Sequence, residues 1–137
     1  MLDKKKSYVA IGNVIPERGM NIDIWRFESD FGHFFPEPVT TSTIERVDRV
    51  SGNMFCVETH NSIYYVQVIT VGWTNVYAAF GLTSPRLGER MECIAVKSVN
   101  SGLEVVTVNT SAIRKIEYIG SIFKIETKNS IYYVQPK

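Results

Sequence analysis

Residues 61–67 read NSIYYVQ, and residues 129–135 read the same seven letters. The identity extends upstream. Residues 41–67, TSTIERVDRVSGNMFCVETHNSIYYVQ, align with residues 110–135, TSAIRKIEYIGSIFKIETKNSIYYVQ, once Ser51 is passed over. Of the 26 aligned positions 14 are identical, and many of the others are conservative, such as Val47 with Ile116 and Asp48 with Glu117. Self-similarity on this scale is an internal duplication.

The repeated segment alternates β-branched or aromatic residues with others at period two, which predicts a β-hairpin in each copy. The turns fall at His60-Asn61 and Lys128-Asn129, where asparagine accepts left-handed or Asx-turn geometry. Pairing Thr59 with Ser62 sets Val57 opposite Tyr64 and Phe55 opposite Val66, a credible core face. The other face carries Cys56, Glu58, Ile63, Tyr65 and Gln67 in the first copy. In the second it carries Lys124, Glu126, Ile131, Tyr133 and Gln135. The agreement of the copies on Glu, Ile, Tyr and Gln has two readings: two sheets pack these faces together, or the faces form a shared binding surface.

Ahead of each hairpin, TSxIxx[VI]xx[VI] places an apolar residue at every third position. That pattern suits a bulged, twisted strand or a strand entered by a short turn. Each unit is therefore expected to hold about five short strands, the size of an SH3-like or Sm-like barrel or of a five-stranded sheet. The expected class is all-β, a tandem duplication with the two units packed as a pseudo-twofold pair. Two barrels and one continuous sheet both satisfy the pattern. The expected organisation is a first β unit at 1–67 with an aromatic insert at 26–39, a linker at 68–89 with room for a short helix, and a second β unit at 90–137. In this reading SYVAIGNVIPERGMNIDIW matches MECIAVKSVNSGLEVVTV loosely, and the insert has no counterpart in the second copy.

Apolar residues make up 45% of the 137-residue chain and charged residues 21%, a globular profile rather than a disordered one. The formal net charge of +1 gives no global field to recruit nucleic acid or an anionic membrane. The start of the chain lacks a signal-peptide pattern, and its most apolar region is too interrupted for a membrane helix. Cys56 and Cys93 have neither CxxC spacing nor a disulfide framework around them. A cytoplasmic setting without cofactor or metal is the expectation.

No catalytic constellation emerges. His60 is a turn residue answered by Lys128, and His33, near Asp30 and Glu37, has no partnered nucleophile. Glu58 and Glu126 form a symmetric carboxylate pair but lack an evident cleft. The insert packs Trp25, Phe27, Phe31, Phe34 and Phe35 around Arg26 and His33, to close a barrel end or to offer a stacking surface. The linker repeats the theme with Trp73, Tyr77 and Phe80, at a spacing that suits a core, followed by Arg86 and Arg90. These features point to non-enzymatic binding of a small nucleotide-like ligand at the junction between repeats or between protomers. Tyr65 and Tyr133 would stack or supply hydroxyls, Glu58 and Glu126 would take ribose or amide donors, and Arg26, Arg86 and Arg90 would hold phosphate. The rival reading is a protein–protein module acting through the Ile63/Tyr65 and Ile131/Tyr133 rows or through exposed edge strands. A homo-oligomer is expected in either case.

The TSxIxxI…FxIxTxNSxYxV hairpin resembles a small β repeat of short proteins from Gram-positive bacteria and their phages. The resemblance covers about the last third of each unit. It implies a binder, either a sponge that sequesters a nucleotide immune signal or an inhibitor that covers a host protein's surface. It carries no site residues over.

Overall fold

In the computed structural model, which describes residues 5–30, 33–70, 75–99 and 102–136, the two NSIYYVQ stretches become equivalent strands of two sheets. The first sheet holds β1 (Lys6–Gly12), β2 (Asp23–Asp30), β3 (His33–Thr40), β4 (Arg46–Ser51), β5 (Met54–Glu58) and β6 (Ser62–Val68). The second holds β7 (Val76–Gly81), β8 (Glu92–Val99), β9 (Gly102–Asn109), β10 (Lys115–Ile119), β11 (Ile122–Glu126) and β12 (Ile131–Gln135). The strand orders are β3-β2-β1-β6-β5-β4 and β10-β11-β12-β7-β8-β9. In each sheet two antiparallel meanders join through one parallel pair, β1 with β6 and β7 with β12.

The hairpin register is the expected one, with Phe55 opposite Val66 and Val57 opposite Tyr64. Ser51, passed over in the alignment, is taken up where the β4–β5 register shifts between Arg49 and Ser51. Three expectations are corrected. Each sheet has six strands rather than five and does not close into a barrel. The span read as a linker with a short helix contains β7, and no helix occurs among the described residues. The aromatic insert is not unique, because β2–β3 has its equivalent in β8–β9. The true counterpart of SYVAIG is therefore NVYAAFG in β7, not MECIAV.

The TSxI motif explains how a flat array becomes a folded unit. In the first sheet β3 and β4 are opposite edges running the same way, joined only by residues 41–45. A flat six-stranded sheet would hold these edges about 24 Å apart. Six residue steps reach at most roughly 20 Å while also returning the length of a strand, so the sheet must curl. The connecting segment then crosses the concave face. Thr41 N donates to Ile22 O (2.8 Å), and Ile22 N donates to Thr41 Oγ1 (3.1 Å). Thr110 repeats both bonds with Met91 at 2.8 and 3.0 Å. Ile44 and Ile113, two residues beyond the following serine, are buried in the separate cores that the curled sheets enclose. β4 is thus entered from an extended connecting segment, and in the first copy it is also bulged near Ser51.

A third core lies between the sheets and answers why the outward face of the repeat is duplicated. It contains Val9, Ile11, Phe27 and Met54 from the first unit with Ala78, Phe80, Val96 and Tyr133 from the second, and Tyr65 packs against it. Tyr65 and Tyr133 stack with ring centroids 5.3 Å apart and planes 16° from parallel. The two glutamines complete the joint. The β1–β2 ladder ends at Ala10, and the next amide, Val9 N, donates to Gln135 Oε1 at 3.1 Å. The β7–β8 ladder ends at the equivalent Ala79, and Ala78 N donates to Gln67 Oε1 at 2.7 Å. Each unit therefore satisfies a backbone donor that the other unit's sheet leaves open, where an unpaired buried amide would be costly. Ser121 at the β10–β11 turn adds a bond to Ser7 O (2.9 Å).

The same architecture constrains two equivalent glycines. A Cβ at Gly81 would sit 2.7 Å from Met91 Cε and 3.0 Å from Val134 Cγ1, whereas at Gly12 the nearest atom would be 3.2 Å away. Gly81→Ala is expected to destabilise the fold by about 1–3 kcal/mol through overpacking, and Gly12→Ala by less. Urea denaturation of the two variants checks the order.

Candidate functional site

The residues first singled out from the sequence fall in different places. Tyr65 and Tyr133 do come together, but in the joint: Tyr133 is 3% exposed and Tyr65 half-buried against it. Burial pushes both hydroxyls upward in pKa, and the Cys56 thiol beside Tyr65 adds to its shift. Glu58 is engaged by Lys5, whose Nζ donates to Glu58 Oε2 at 2.6 Å and to Thr59 O at 2.8 Å. Glu126 lies 3.9 Å from Lys115 Nζ. Arg26 sits over the Tyr8 ring (4.4 Å), ion-paired with Glu37 and with Glu28 at 2.8 Å. Arg86 and Arg90 are exposed on the segment between β7 and β8. The geometry thus brings together the tyrosines alone. The His33, Phe31 and Phe35 side chains and Trp73 lie outside the described residues, while His60 is solvated.

An open site does occur around Trp25. Along β2 the chain alternates Ile24 and Arg26 toward the concave core side with Trp25 and Phe27 toward the joint. Phe27 is covered by Phe34 in an edge-to-face contact at 5.1 Å. Trp25 lies nearer the rim and stays 49% exposed, unusual for the largest apolar side chain. Its β3 partner is Pro38.

Trp25 lines two adjoining hollows. The larger, of about 520 Å³, is bounded by Ile11, Gly12 and Asn13, by Asp23, Ile24 and Trp25, by Pro38, Val39 and Thr40, and by Ile69. Its rim is polar: Thr40 Oγ1 donates to Asp23 Oδ1 at 2.5 Å, and Asn13 O accepts from Thr70 Oγ1 at 3.0 Å. The smaller, of about 220 Å³, is an apolar groove between the sheets, with Trp25, Phe27, Phe34 and Pro36 facing Val96 and Val105. The duplication makes Phe27 equivalent to Val96 and Pro36 to Val105, as their pairing partners show. The groove therefore straddles the pseudo-twofold axis. Among the described residues, the charged groups lining the two hollows are the carboxylates Asp23 and Glu104.

Sequence reasoning placed Trp25 in the aromatic insert but not among the ligand residues, and it passed over Asp23, Thr40 and Val105. Period-two alternation identifies the face a side chain takes, not whether that face ends in solvent. Among the described residues no cluster of His, Cys, Asp and Glu is arranged to hold a metal ion, and no helix is long and apolar enough to cross a membrane. Comparison with protein-family profiles, with curated proteins and with solved structures finds no match.

Proposed function

We propose that the protein is a non-enzymatic binder that takes the flat, base-like end of a nucleotide-like ligand against Trp25. The observation that carries this reading is the half-exposed indole, shared by a hydrogen-bonding cleft and an apolar groove. A cleft of this volume lies in the range of small-molecule sites. Stacking on an aromatic face contributes about 1–3 kcal/mol per base. Asp23, Thr40 and the Asn13 backbone offer acceptors to amino or ribose donors. With carboxylates as the charges that the described residues place in the lining, phosphates would extend into solvent. Arg26, already paired with Glu28 and Glu37, would not reach for them. The preferred ligand is therefore the nucleoside part rather than the phosphate part. A sequestering role, as the phage-repeat resemblance implies, is the biological form of this reading.

Thermal shift with purine and pyrimidine nucleosides and their 5′-monophosphates tests it. At a ligand concentration of 100 Kd the native state gains about 2.7 kcal/mol by mass action, so Tm should rise by several degrees, and the monophosphate should gain nothing over the nucleoside. Trp25→Ala should abolish the shift while moving the unliganded stability by no more than about 1 kcal/mol. The proposal fails if no nucleoside raises Tm, or if Trp25→Ala responds as the parent does.

The protein–protein alternative through the Ile/Tyr rows has less support, since Tyr133 and Gln67 are buried in the joint. Its edge-strand form has an observation of its own.

A further inference from the structure

The duplication has diverged at one pair of sheet edges in a way that bears on pairing. β3 and β9 are equivalent edge strands of eight residues. β3 carries Pro36 and Pro38, opposite Phe27 and Trp25. β9 carries Val105 and Thr107 at the corresponding places, opposite Val96 and Ile94. A proline inside an edge strand must direct its nitrogen away from the sheet, because it has no N–H for the ladder. Residues 36 and 38 therefore face outward, and β3 has lost two successive donors along its free side. By equivalence the N–H and C=O groups of Val105 and Thr107 point outward from β9, and there the donors are intact.

The remaining edges are protected differently. β4 is bulged and carries Arg46, Asp48 and Arg49. β10 has five residues with Lys115 and Glu117 among them, and pairing it with itself about its centre would oppose two Glu117 carboxylates. β9 is long, free of proline and rich in β-branched residues, with Val105 54% exposed. An open edge of this kind templates strand addition.

We infer that β9 pairs with β9 of a second copy of this chain, antiparallel about Val106, to make a closed twofold dimer. Centring on Val106 opposes Val105 with Thr107 of the second copy, so the outward donors and acceptors exchange bonds in register. The centring puts Val108 opposite Glu104, which keeps the two Glu104 carboxylates apart and opposes β-branched side chains, the favourable cross-strand combination. Each copy uses the one unprotected edge among its described strands, so association closes at two rather than growing into a filament. Val105 and Glu104 also line the apolar groove, so the joined edges would lie beside it. The inference stands independently of the ligand reading.

Sedimentation velocity of the full chain over a concentration series tests it, together with Val105→Pro/Thr107→Pro and Thr107→Lys. The parent should sediment at about twice 15.6 kDa. The double proline variant reproduces what β3 already tolerates, so it should be monomeric with an unchanged circular dichroism spectrum. Thr107→Lys serves should that variant fail to fold, and should raise the dimer dissociation constant at least tenfold. Val106→Cys fixes the register: directly opposed residues at the dyad have Cα atoms about 4.5 Å apart, within disulfide reach, so mild oxidation should give a covalent dimer that the parent, with Cys56 and Cys93 alone, does not. A parent that stays monomeric at the highest concentration, or a dimer undiminished in Thr107→Lys, overturns the assignment.

Discussion

Replacing Tyr133 with alanine is expected to remove about 3–5 kcal/mol of stability, the range for deleting a large buried aromatic ring. For a chain of 137 residues that corresponds to a fall in Tm of roughly 10–17 °C. The ring is 3% exposed, stacks on Tyr65 and joins the core between the sheets. Truncating it opens a cavity at the place where neither sheet alone can close. Tyr65→Ala should cost less, because Tyr65 is half-buried. Tyr133→Phe keeps the ring and should stay within about 1 kcal/mol of the parent. Chemical denaturation of the three variants checks the order. A Tyr133→Ala protein as stable as the parent would mean that the pair is an accessory surface and not the centre of the joint.

Gln67→Ala is the second large effect. Gln67 is fully buried, and its Oε1 accepts from Ala78 N at 2.7 Å. Its Nε2 is buried with no hydrogen-bond partner among the described residues, so the bond to Ala78 N carries the polar role of the side chain there. Alanine would leave the Ala78 N–H without its acceptor inside the protein, which costs about 1–3 kcal/mol beyond the lost packing. Gln135→Ala should cost less, since that side chain is only partly buried and its bond to Val9 N is longer, at 3.1 Å. The inequality is itself informative, because two residues spelled alike in the repeat differ only in their surroundings.

What could be read from the chain follows the reach of each signal. The hairpins were legible because period-two alternation and an Asn turn act over a few residues, and Ser51 was legible as an extra residue because its neighbours match. The equivalence of β1 and β7 was obscured, as SYVAIG and NVYAAFG share only Tyr, Ala and Gly at matching places, and the stretches after them diverge. β3 reads in the sequence as part of an aromatic insert without a counterpart, and its Pro36 and Pro38 mask a strand that an edge position, with the proline nitrogens turned outward, accepts. The glutamines were noticed as unexplained. Their partners are backbone amides in the other unit, and backbone amides leave no mark in a side-chain pattern. Glu58 and Arg26 were plausible ligand groups until Lys5, Glu28 and Glu37 were found beside them. Trp25 differs from the tyrosines only in lying nearer the rim.

The central claim is that the repeated outward face joins the two units by a reciprocal exchange. Amide hydrogen exchange in the parent, Gln67→Ala and Gln135→Ala tests it most directly, resolved at Val9 and Ala78. The exchange is predicted to be crosswise: Gln67→Ala should speed Ala78, a residue of the second unit, and spare Val9, while Gln135→Ala should speed Val9 and spare Ala78. Unchanged protection at both amides, or loss confined to the unit that carries the substitution, would contradict the account.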